Sequence, residues 1–254
     1  MSSATSPDFT IVDETDDYVM VDKPPFLLAH PTKPNGEVTL WKRLQELLAF
    51  ELANGGQVSI INRLDRETSG LVLIAKTAAA ARRYGMLMQQ RRLKKEYLAI
   101  VWGWPEWEAR FVEAPLNRQG KYRESAIWLK QAIHPAGAAA QTEFRVERRF
   151  IKSGCSGDSQ FSLIRAIPHS GRTHQIRVHL ASSGHPIVGD KIYGPDERLY
   201  LQFIQTGWTP ELEQQLLLPR HALHSTKLAI DGEIEWQCPL PVDLRDFVSC
   251  SGDL

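Results

Sequence analysis

The segment Arg63–Gly70 holds the residue best suited to chemistry in this chain. Its sequence, Arg-Leu-Asp-Arg-Glu-Thr-Ser-Gly, places Asp65 between two arginines. The apolar runs Val58–Ile61 and Leu71–Ala75 flank the segment, and both are short and rich in β-branched residues, which predicts two buried strands joined by a tight turn. A carboxylate held in this way is suited to acid, base or nucleophilic work. Ordinary turn chemistry also explains the segment, since Asp, Thr, Ser and Gly are common turn residues.

A second segment, Pro168–Leu180, brings two arginines, three histidines and a glutamine onto a predicted loop that leads into a helix. We expect Thr173 to cap this helix, which should reach Ser183 before Gly184 ends it. Helical spacing separates a polar face from an apolar one. The polar face holds His174 and Arg177 with Ala181, and the apolar face holds Ile176 and Leu180. Few purely structural helices begin this way, so the segment favours a functional role.

Together these two segments resemble the signature of the RluA-type pseudouridine synthases, which isomerise uridine in structured RNA. Further stretches are similar to motifs of that family and stand in the family's order. They are Asp22–Pro25, Lys95–Gly103, Gly189–Gly194, Ala222–Ser225 and Pro239–Pro241. The resemblance extends from about Phe9 to Phe247.

Two positions depart from the family's pattern. The family usually has histidine immediately before the Arg-Leu-Asp triplet, whereas this chain has Asn62, which can donate and accept hydrogen bonds but carries no charge. Ser170 stands where threonine is usual and keeps the hydroxyl. We expect these changes to affect fine positioning and to leave the chemistry intact.

The resemblance implies an α+β fold with a mixed, largely antiparallel bent sheet in two halves, flanked by helices, and with a central catalytic cleft. Strands interspersed with a few helices and joined by hairpins favour the same fold class. The implied reaction isomerises specific uridines in rRNA or tRNA. It involves no redox step, so we expect no flavin, nicotinamide or metal cofactor.

The resemblance also implies residue roles. Asp65 matches the family's essential carboxylate, and the sequence leaves open whether it attacks the ribose or promotes elimination of the base. Arg177 matches the arginine that pairs with this carboxylate and favours its ionised form. Tyr97 matches the active-site tyrosine, whose ring can stack on the target uracil, with Glu96 and Leu98 on the opposite sheet face. Arg63 matches the position that fills the space left by the flipped nucleotide.

Other residues are candidates for binding the RNA or shaping the pocket. They are Lys23, His30, Arg172, His174 and Lys191. The stretch from Arg82 to Lys95 holds six basic residues and no acidic one, which predicts a phosphate-binding ridge. Structural alternatives remain open: an exposed salt bridge for Arg177, an ion pair for Arg63, a half-buried strand residue for Tyr97 and a solvated face for the ridge.

Periodicity predicts several other elements. Leucines from Leu40 to Leu52 recur at helical spacing, with Thr39 as the N-cap and Gly55-Gly56 as the stop, which indicates one amphipathic helix. A second helix should run from Thr77 to about Gln90. Further elements are a strand at Val19–Val21, strands at Lys95–Trp102, Gln141–Val146 and Phe161–Ile167, a polar loop at Gly154–Asp158, and a two-residue hairpin turn at Asp231-Gly232. We predict a loose tail at residues 1–8 and a single domain over residues 9–254.

Composition is that of an ordinary globular protein, with 43% hydrophobic and 24% charged residues among 254. Thirty basic and thirty acidic residues cancel, so only local fields can attract RNA. The acidic start without Lys or Arg before Lys23 is unlike a leader, and no apolar run approaches the ~20 residues of a bilayer span. We expect a cytoplasmic protein whose three cysteines, Cys155, Cys238 and Cys250, are reduced bystanders.

Three rival functions deserve comparison. A glycosidase-like hydrolase using Asp65 and Glu67 is disfavoured, because flanking arginines suit a single anion better than a proton-sharing pair. A zinc hydrolase fails on spacing, since no two of its histidines stand four residues apart on a helix. Those histidines are His169, His174, His179 and His185. A catalytically inactive RNA-binding or RNA-chaperone module on the same fold stays open.

The target RNA is not specified by these motifs. The catalytic motifs begin by Lys23, which leads us to expect recognition by the catalytic domain itself, including the region between Trp104 and Ala139. This arrangement favours a compact modifier of rRNA or tRNA. We expect a monomer without a membrane association or an obligate protein partner.

Overall fold

A computed structural model describes residues 9–31, 38–154 and 157–249. The fold is α+β, as predicted, with mostly antiparallel sheet and seven α-helices in those residues. The chain divides into two compact units, residues 1–95 with 225–239, and residues 96–224 with 240–254. The predicted loose tail at residues 1–8 lies outside the described residues, and the single domain and the cleft stay predictions.

The first unit is built on a sheet in the order β1-β2-β4-β11, with β3 beside β4 and β12 beside β11. Its strands are β1 (Thr10–Glu14), β2 (Tyr18–Lys23), β3 (Ser59–Ile60), β4 (Ser69–Ala75), β11 (Leu223–Ile230) and β12 (Ile234–Gln237), and its helices are α1 (Leu40–Leu47), α2 (Ala49–Ala53) and α3 (Ala78–Gln89). β2 pairs antiparallel with β4 from Tyr18 opposite Ala75 to Lys23 opposite Gly70. All seven residues of β4 are buried, which confirms the predicted strand after the Asp65 segment.

Helix capping in this unit follows the sequence. The hydroxyl of Thr39 accepts a hydrogen bond from the Lys42 amide at 3.2 Å, and that of Thr77 accepts one from the Ala80 amide at 3.1 Å, so both predicted N-caps are confirmed. The prediction of one helix after Thr39 is wrong in one respect. The chain leaves helical geometry at Leu48, which is buried, and α2 follows as a separate short helix.

The β11–β12 turn differs slightly from the prediction. Ile230 pairs with Ile234, so the loop holds the three residues 231–233 instead of two, with Gly232 at φ +74°. A three-residue loop with glycine in the left-handed region is a common hairpin alternative. Just beyond β12, Cys238 is buried, its thiol lies 3.3 Å from the Ser225 carbonyl oxygen, and burial raises the pKa of this thiol to about 12. Cys155 and Cys250 lie outside the described residues.

The second unit is built on a sheet in the order β5-β10-β9-β6 and a separate two-stranded sheet of β7 and β8. Its strands are β5 (Leu93–Trp102), β6 (Ala109–Glu113), β7 (Leu116–Arg118), β8 (Gln131–Ile133), β9 (Gln141–Gly154) and β10 (Gly157–Pro168), and its helices are α4 (Gln175–Ser182), α5 (Arg198–Thr206), α6 (Pro210–Leu216) and α7 (Val242–Ser249). Both β5 and β11 contribute residues to each unit. The sequence predicted two shorter strands here, Gln141–Val146 and Phe161–Ile167, and a polar loop at Gly154–Asp158 between them. The observed strands β9 and β10 are each about twice as long. Instead Asp158 pairs with Ser153 within the hairpin, while residues 155–156 lie outside the described residues.

Gly70 fixes how the end of the Asp65 segment enters β4. Its φ is +112°, and a Cβ at this position would lie 2.3 Å from the carbonyl oxygen and 2.6 Å from the amide nitrogen of Ser225. Side chains rarely adopt this backbone conformation, and the neighbouring atoms belong to backbone that cannot rotate away. Only glycine therefore fits where the Asp65 segment joins the sheet.

We predict that Gly70→Ala lowers the free energy of unfolding by about 3 kcal/mol, because backbone strain and overlap with Ser225 add together. Urea unfolding followed by circular dichroism measures this loss. Gly55→Ala is the matched control, since Gly55 also has a positive φ of +86° but nothing within 4 Å of the new Cβ. It should lose only about 1 kcal/mol, and equal losses in the two variants would show that the close approach to Ser225 is unimportant.

Candidate active site

In the first unit, Asp65 lies in the loop that joins β3 to β4. The backbone carbonyl of Asp65 accepts a hydrogen bond from the Thr68 amide at 3.2 Å, which closes a tight turn. Leu64 and Thr68 on either side are buried, whereas Asp65 itself is half-buried. The loop therefore anchors itself through its neighbours and leaves the Asp65 side chain at the margin of the protein interior.

Lys23 forms hydrogen bonds that stabilise this loop. It is completely buried, and its ammonium donates to the carbonyl oxygens of Pro24 at 2.8 Å, Leu27 at 3.0 Å and Arg66 at 3.3 Å. An ammonium has three protons, and these three carbonyl oxygens compensate much of the cost of burying it. Lys23, predicted to contact RNA or shape the pocket, thus joins the 24–27 segment to the residue that follows Asp65.

Asn62 closes the base of the same loop. Its amide nitrogen donates to the Leu71 carbonyl at 3.0 Å, and its amide oxygen accepts from the Leu73 amide at 2.8 Å. Both partners are backbone groups of β4, one an acceptor and one a donor, which a neutral carboxamide satisfies without ionisation. This explains how the chain accommodates its departure from the usual histidine.

Three candidate RNA-contacting residues of the first unit, Arg63, Arg66 and His30, are exposed. Arg66 donates from Nε to the Phe26 carbonyl at 3.2 Å. Arg63 is exposed, and within residues 9–31, 38–154 and 157–249 no ion pair is recorded for it, so the structural alternative of an ion pair gains no support. His30 is exposed, with Nδ1 3.3 Å from the Pro31 carbonyl and its ring 5.4 Å from that of Trp41.

The predicted basic ridge of the first unit is partly neutralised. Glu233 pairs with Arg83 and, at 3.6 Å, with Arg92, while Asp231 lies 3.6 Å from Lys94. These pairs are exposed, and exposed pairs contribute little and are screened by salt. Burial lowers the pKa of Lys95. Six cations against two carboxylates leave the ridge net positive.

In the second unit, Tyr97 lies on β5 opposite Ala166 of β10. Its side chain is buried, and the neighbouring residues lie on the other face of the strand, as predicted. Glu96 forms an ion pair there with Arg165 at 2.6 Å. The strand therefore holds the Tyr97 ring in a fixed position on its buried face.

Arg177 is held by a carboxylate that the motif search did not single out. Its Nε and Nη2 donate to the two oxygens of Asp190 at 2.7 and 2.9 Å, in a bidentate pair. Burial alone would raise the pKa of Asp190, but the charge and hydrogen bonds of Arg177 hold it below the usual value. The amides of Ile192 and Tyr193 also donate to Asp190 at 3.0 Å. The Gly189–Gly194 motif contains Asp190, so the sequence offered a candidate for the carboxylate partner that a buried arginine requires.

Tyr193 is a second residue that sequence reasoning did not assign a role. The Arg177 guanidinium lies 5.1 Å from the centre of its ring. Its hydroxyl accepts from the Gln131 amide at 2.8 Å and lies 2.8 Å from Nδ1 of His174. The predicted site residues His174 and Arg177 therefore both contact one buried tyrosine.

The entry into α4 differs from the prediction. Thr173 does not cap the helix; His174 occupies the N-cap position in the left-handed region at φ 56°. Gln175 organises the loop instead, because its amide oxygen accepts from the Ser170 hydroxyl at 2.8 Å and the Arg172 amide at 3.0 Å. The helix is also buried from Gln175 to Leu180, so its polar face is enclosed by protein as well as its apolar face.

Arg172 and Lys191, both candidates for RNA contact, occupy different environments. Arg172 is exposed and donates from Nε to the Ala139 carbonyl at 3.1 Å. Lys191 is buried, donates to the Pro219 carbonyl at 2.7 Å, and lies 4.7 Å from the centre of the Phe203 ring. Because Lys191 is buried, its hydrogen bond to Pro219 serves to connect two loops within the second unit.

The four histidines of the rejected zinc site each engage a different partner. His179 lies 2.9 Å from the Thr142 hydroxyl and 3.0 Å from the Ala114 carbonyl, and burial lowers the pKa of its ring. His185 lies 3.1 Å from the Trp102 carbonyl, and His169 lies 4.0 Å from Glu143. These contacts are structural and give the zinc hydrolase no support.

Comparison with known sequences identifies the family. Residues 17–182 match the RNA pseudouridylate synthase family. A curated protein named ribosomal large subunit pseudouridine synthase D, from Nitrosomonas europaea, is 35% identical over 250 residues, which cover 96% of this chain and 65% of that protein. The protein of the same name from Haemophilus ducreyi is 33% identical over 94% of this chain and 69% of its own length. The chain belongs to the RNA pseudouridylate synthase family, and it spans about two thirds of the length of these relatives.

Comparison with solved structures confirms the fold. The structure titled Human RNA Pseudouridylate Synthase Domain Containing 1 has a TM-score of 0.70 at 23% identity and covers 99% of this chain and 91% of that chain. The structure titled Human RNA Pseudouridylate Synthase Domain Containing 4 has a TM-score of 0.71 at 22% identity and covers 94% and 92%. Among the described residues of this chain, no helix is long and apolar enough to cross a bilayer.

We predict that Asp190→Asn lowers the free energy of unfolding by about 3 kcal/mol at neutral pH, because it removes the charge that compensates buried Arg177. The folded-state pKa of Asp190 is lowered, so its contribution is present above the unfolded pKa of about 4 and is lost as the pH falls below it. The difference between wild type and variant should therefore be constant from about pH 5 to 8 and shrink below about pH 4.

Urea titrations across this pH range measure the difference. Asp196→Asn is the control, because Asp196 pairs with Arg198 at an exposed site, and the unfolding midpoint of this variant should stay close to that of wild type. A loss for Asp190→Asn as small as that of the control would contradict the structural importance of the buried pair.

Proposed function

We propose that this protein is an RNA pseudouridine synthase that isomerises uridine in large-subunit ribosomal RNA. The observation that carries the proposal is the Arg-Leu-Asp triplet that ends at Asp65. This triplet lies on a loop whose backbone is held by hydrogen bonds from Lys23 and Asn62. The family match over residues 17–182 contains Asp65, Tyr97 and Arg177 together. The name shared by the relatives, ribosomal large subunit pseudouridine synthase D, supports rRNA over tRNA as the substrate.

The proposed reaction breaks the bond between ribose C1′ and uracil N1 and forms a bond between C1′ and C5. The proton on C5 leaves, and N1 gains a proton, so the product is an isomer without any change in oxidation state. A single carboxylate, Asp65, supplies either nucleophilic or acid/base catalysis at the ribose. The protein must also keep the detached base in place while it turns.

Arg177 is proposed to keep the Asp65 carboxylate ionised, since a nearby cation favours the charged form of an aspartate. The bidentate pair with Asp190 bears on the orientation of this guanidinium. It fixes the plane of the guanidinium before substrate arrives, so no ordering of that long side chain is needed during the reaction. Asp190 and Tyr193 are thus positioning residues for Arg177.

Tyr97 is proposed to stack on the target uracil and to accept a proton from it. The strand fixes the position of this ring, and its small exposed surface, 8%, suits contact with one flipped base better than contact with a run of stacked bases. A base inside structured RNA must first leave its stack, at a cost of a few kcal/mol. Exposed Arg63 is proposed to enter the space left behind, because a guanidinium stacks and donates hydrogen bonds at once.

RNA binding is proposed to use the exposed cations of the first unit. The net-positive ridge from Arg82 to Lys95 supplies that charge, with Arg172 contributing from the second unit, and the exposed ring of His30 offers hydrogen bonds. Lys23 and Lys191, being buried, shape their loops. We further propose that the protein acts as a monomer in the cytoplasm, where a ribosomal substrate would be met.

An inactive RNA-binding module on the same fold is the alternative from another class. Pure binding requires cations and stacking surfaces but no retained carboxylate. The combination of Asp65, Tyr97 and Arg177 supports the enzyme, because two of these residues are buried and contribute little exposed surface to an RNA contact.

Asp65→Asn is expected to reduce pseudouridine formation by at least about a thousandfold, because the isosteric amide cannot act as nucleophile or base. Tritium release from [5-³H]uridine-labelled RNA measures turnover, and filter binding measures affinity. Affinity should stay within about twofold of wild type. Glu67→Gln is the control in the same loop and should retain turnover; unaltered turnover in Asp65→Asn would refute the assignment.

A further inference from the structure

A ribbon in the second unit displays aromatic side chains that the proposed reaction does not use. It comprises residues 116–134, with β7 and β8 as its two strands, and is called here the β7–β8 ribbon. Trp128 is 72% exposed and Tyr122 is 43% exposed. Leu129 and Ile133 of the same ribbon are also exposed, and a concentration of exposed apolar side chains is typical of a binding surface.

Each of these rings is held on one face by a cationic or aromatic partner. The Arg118 guanidinium lies 3.6 Å from the centre of the Trp128 ring, and the His134 ring is stacked on Tyr122 at 3.5 Å with an interplanar angle of 14°. Nε of Arg118 is enclosed and has no hydrogen-bond partner within the described residues. The contact with Arg118 covers one face of the indole, while the side chain of Trp128 stays largely exposed.

The ribbon is also positively charged in a chain whose net charge is zero. Lys121 and Arg123 are exposed on either side of Tyr122 in the sequence, and Glu124 is the one acidic residue in the sequence 116–134. Exposed cations on the same ribbon as exposed aromatic rings suit an unpaired RNA strand, which offers both phosphates and bases.

The ribbon is anchored to the residues that hold Arg177. Leu116 and Ile127 are buried in a cluster with Val178 and Tyr193. The Gln131 amide donates to the Tyr193 hydroxyl at 2.8 Å. A surface fixed to Tyr193 in this way is well placed to orient RNA relative to Arg177 within the same unit.

We propose that the β7–β8 ribbon is a stacking platform for unpaired nucleotides of the RNA substrate. Trp128 takes a base on its open face, and Lys121 and Arg123 contact phosphates. The proposal rests on the proposed function in that RNA is the ligand of the site. Exposed Leu129 and Ile133 would suit a protein partner instead, but the cations and the pre-stacked rings favour RNA.

The test uses the full chain and a fluorescein-labelled oligouridylate of about 12 nucleotides, with an RNA duplex of equal length for comparison. Trp128→Ala should raise the dissociation constant for the single strand about tenfold, because base stacking on an aromatic ring is lost. Binding of the duplex should change less than about twofold, since its bases are already stacked. Trp128→Tyr keeps an aromatic face and should restore most of the affinity.

Phe50→Ala is the matched control, because Phe50 is 80% exposed in the first unit. It should bind the oligouridylate as wild type does. Thermal unfolding of Trp128→Ala should be unchanged, since the side chain is exposed. Wild-type affinity in Trp128→Ala overturns the platform, and this is the result expected if the ribbon binds a protein.

The phosphate contacts have a separate test. Replacing both Lys121 and Arg123 by glutamine should reduce the slope of log affinity against log salt by about 1.4, because each lost phosphate contact on single strands contributes about 0.7. Arg245→Gln, at an exposed position on α7, should leave the slope unchanged. An unchanged slope in the double variant would overturn the assignment of phosphates to these cations.

Failure of the platform and failure of the proposed function give different results. If the wild-type protein forms no pseudouridine and Trp128→Ala binds tenfold more weakly, the proposed enzymatic function is contradicted and the stacking platform is supported. If wild-type turnover is normal and Trp128→Ala binds as tightly as wild type, the enzymatic function is supported and the stacking platform is contradicted.

Discussion

The buried ion pair between Arg177 and Asp190 is the constraint on which the second unit's part of the site depends. A guanidinium inside a protein is strongly unfavourable unless a carboxylate compensates its charge, and Asp190 does so with both oxygens. The same carboxylate accepts from the amides of Ile192 and Tyr193, so the pair sets the backbone after Gly189. Tyr193 in turn contacts His174 and Gln131. One electrostatic requirement thereby positions a helix, a loop and a strand.

The first unit also contains a buried cation, Lys23, whose ammonium donates to backbone carbonyl oxygens. Lys23 is buried against three carbonyl oxygens, and Asn62 bonds to two backbone groups of β4. These contacts fix both ends of the loop that carries Asp65, while the Asp65 side chain itself stays at the margin of the interior. The loop is thus fixed at both ends around a residue proposed to act through its charge, which is the arrangement expected of a preorganised catalytic group.

The sequence predicted the elements that depend on local chemistry. Thr39 and Thr77 cap helices because a hydroxyl at the N-cap satisfies an amide in the first turn, and β4 follows from its apolar run. Predictions that depend on tertiary partners were less accurate. Thr173 was displaced as a cap because the side chain of Gln175 holds the preceding loop, and the uniform burial of α4 overrides its apparent two faces. Asp190 and Tyr193 were missed because only contacts across the fold reveal what they position.

The central claim is that this chain performs uridine isomerisation in ribosomal RNA. Mapping pseudouridines by carbodiimide modification and primer extension, in large-subunit rRNA from cells with and without the gene, tests it most directly. The account predicts that at least one uridine loses its modification when the gene is removed and regains it when the gene is restored. An identical pseudouridine profile in both strains would contradict the account.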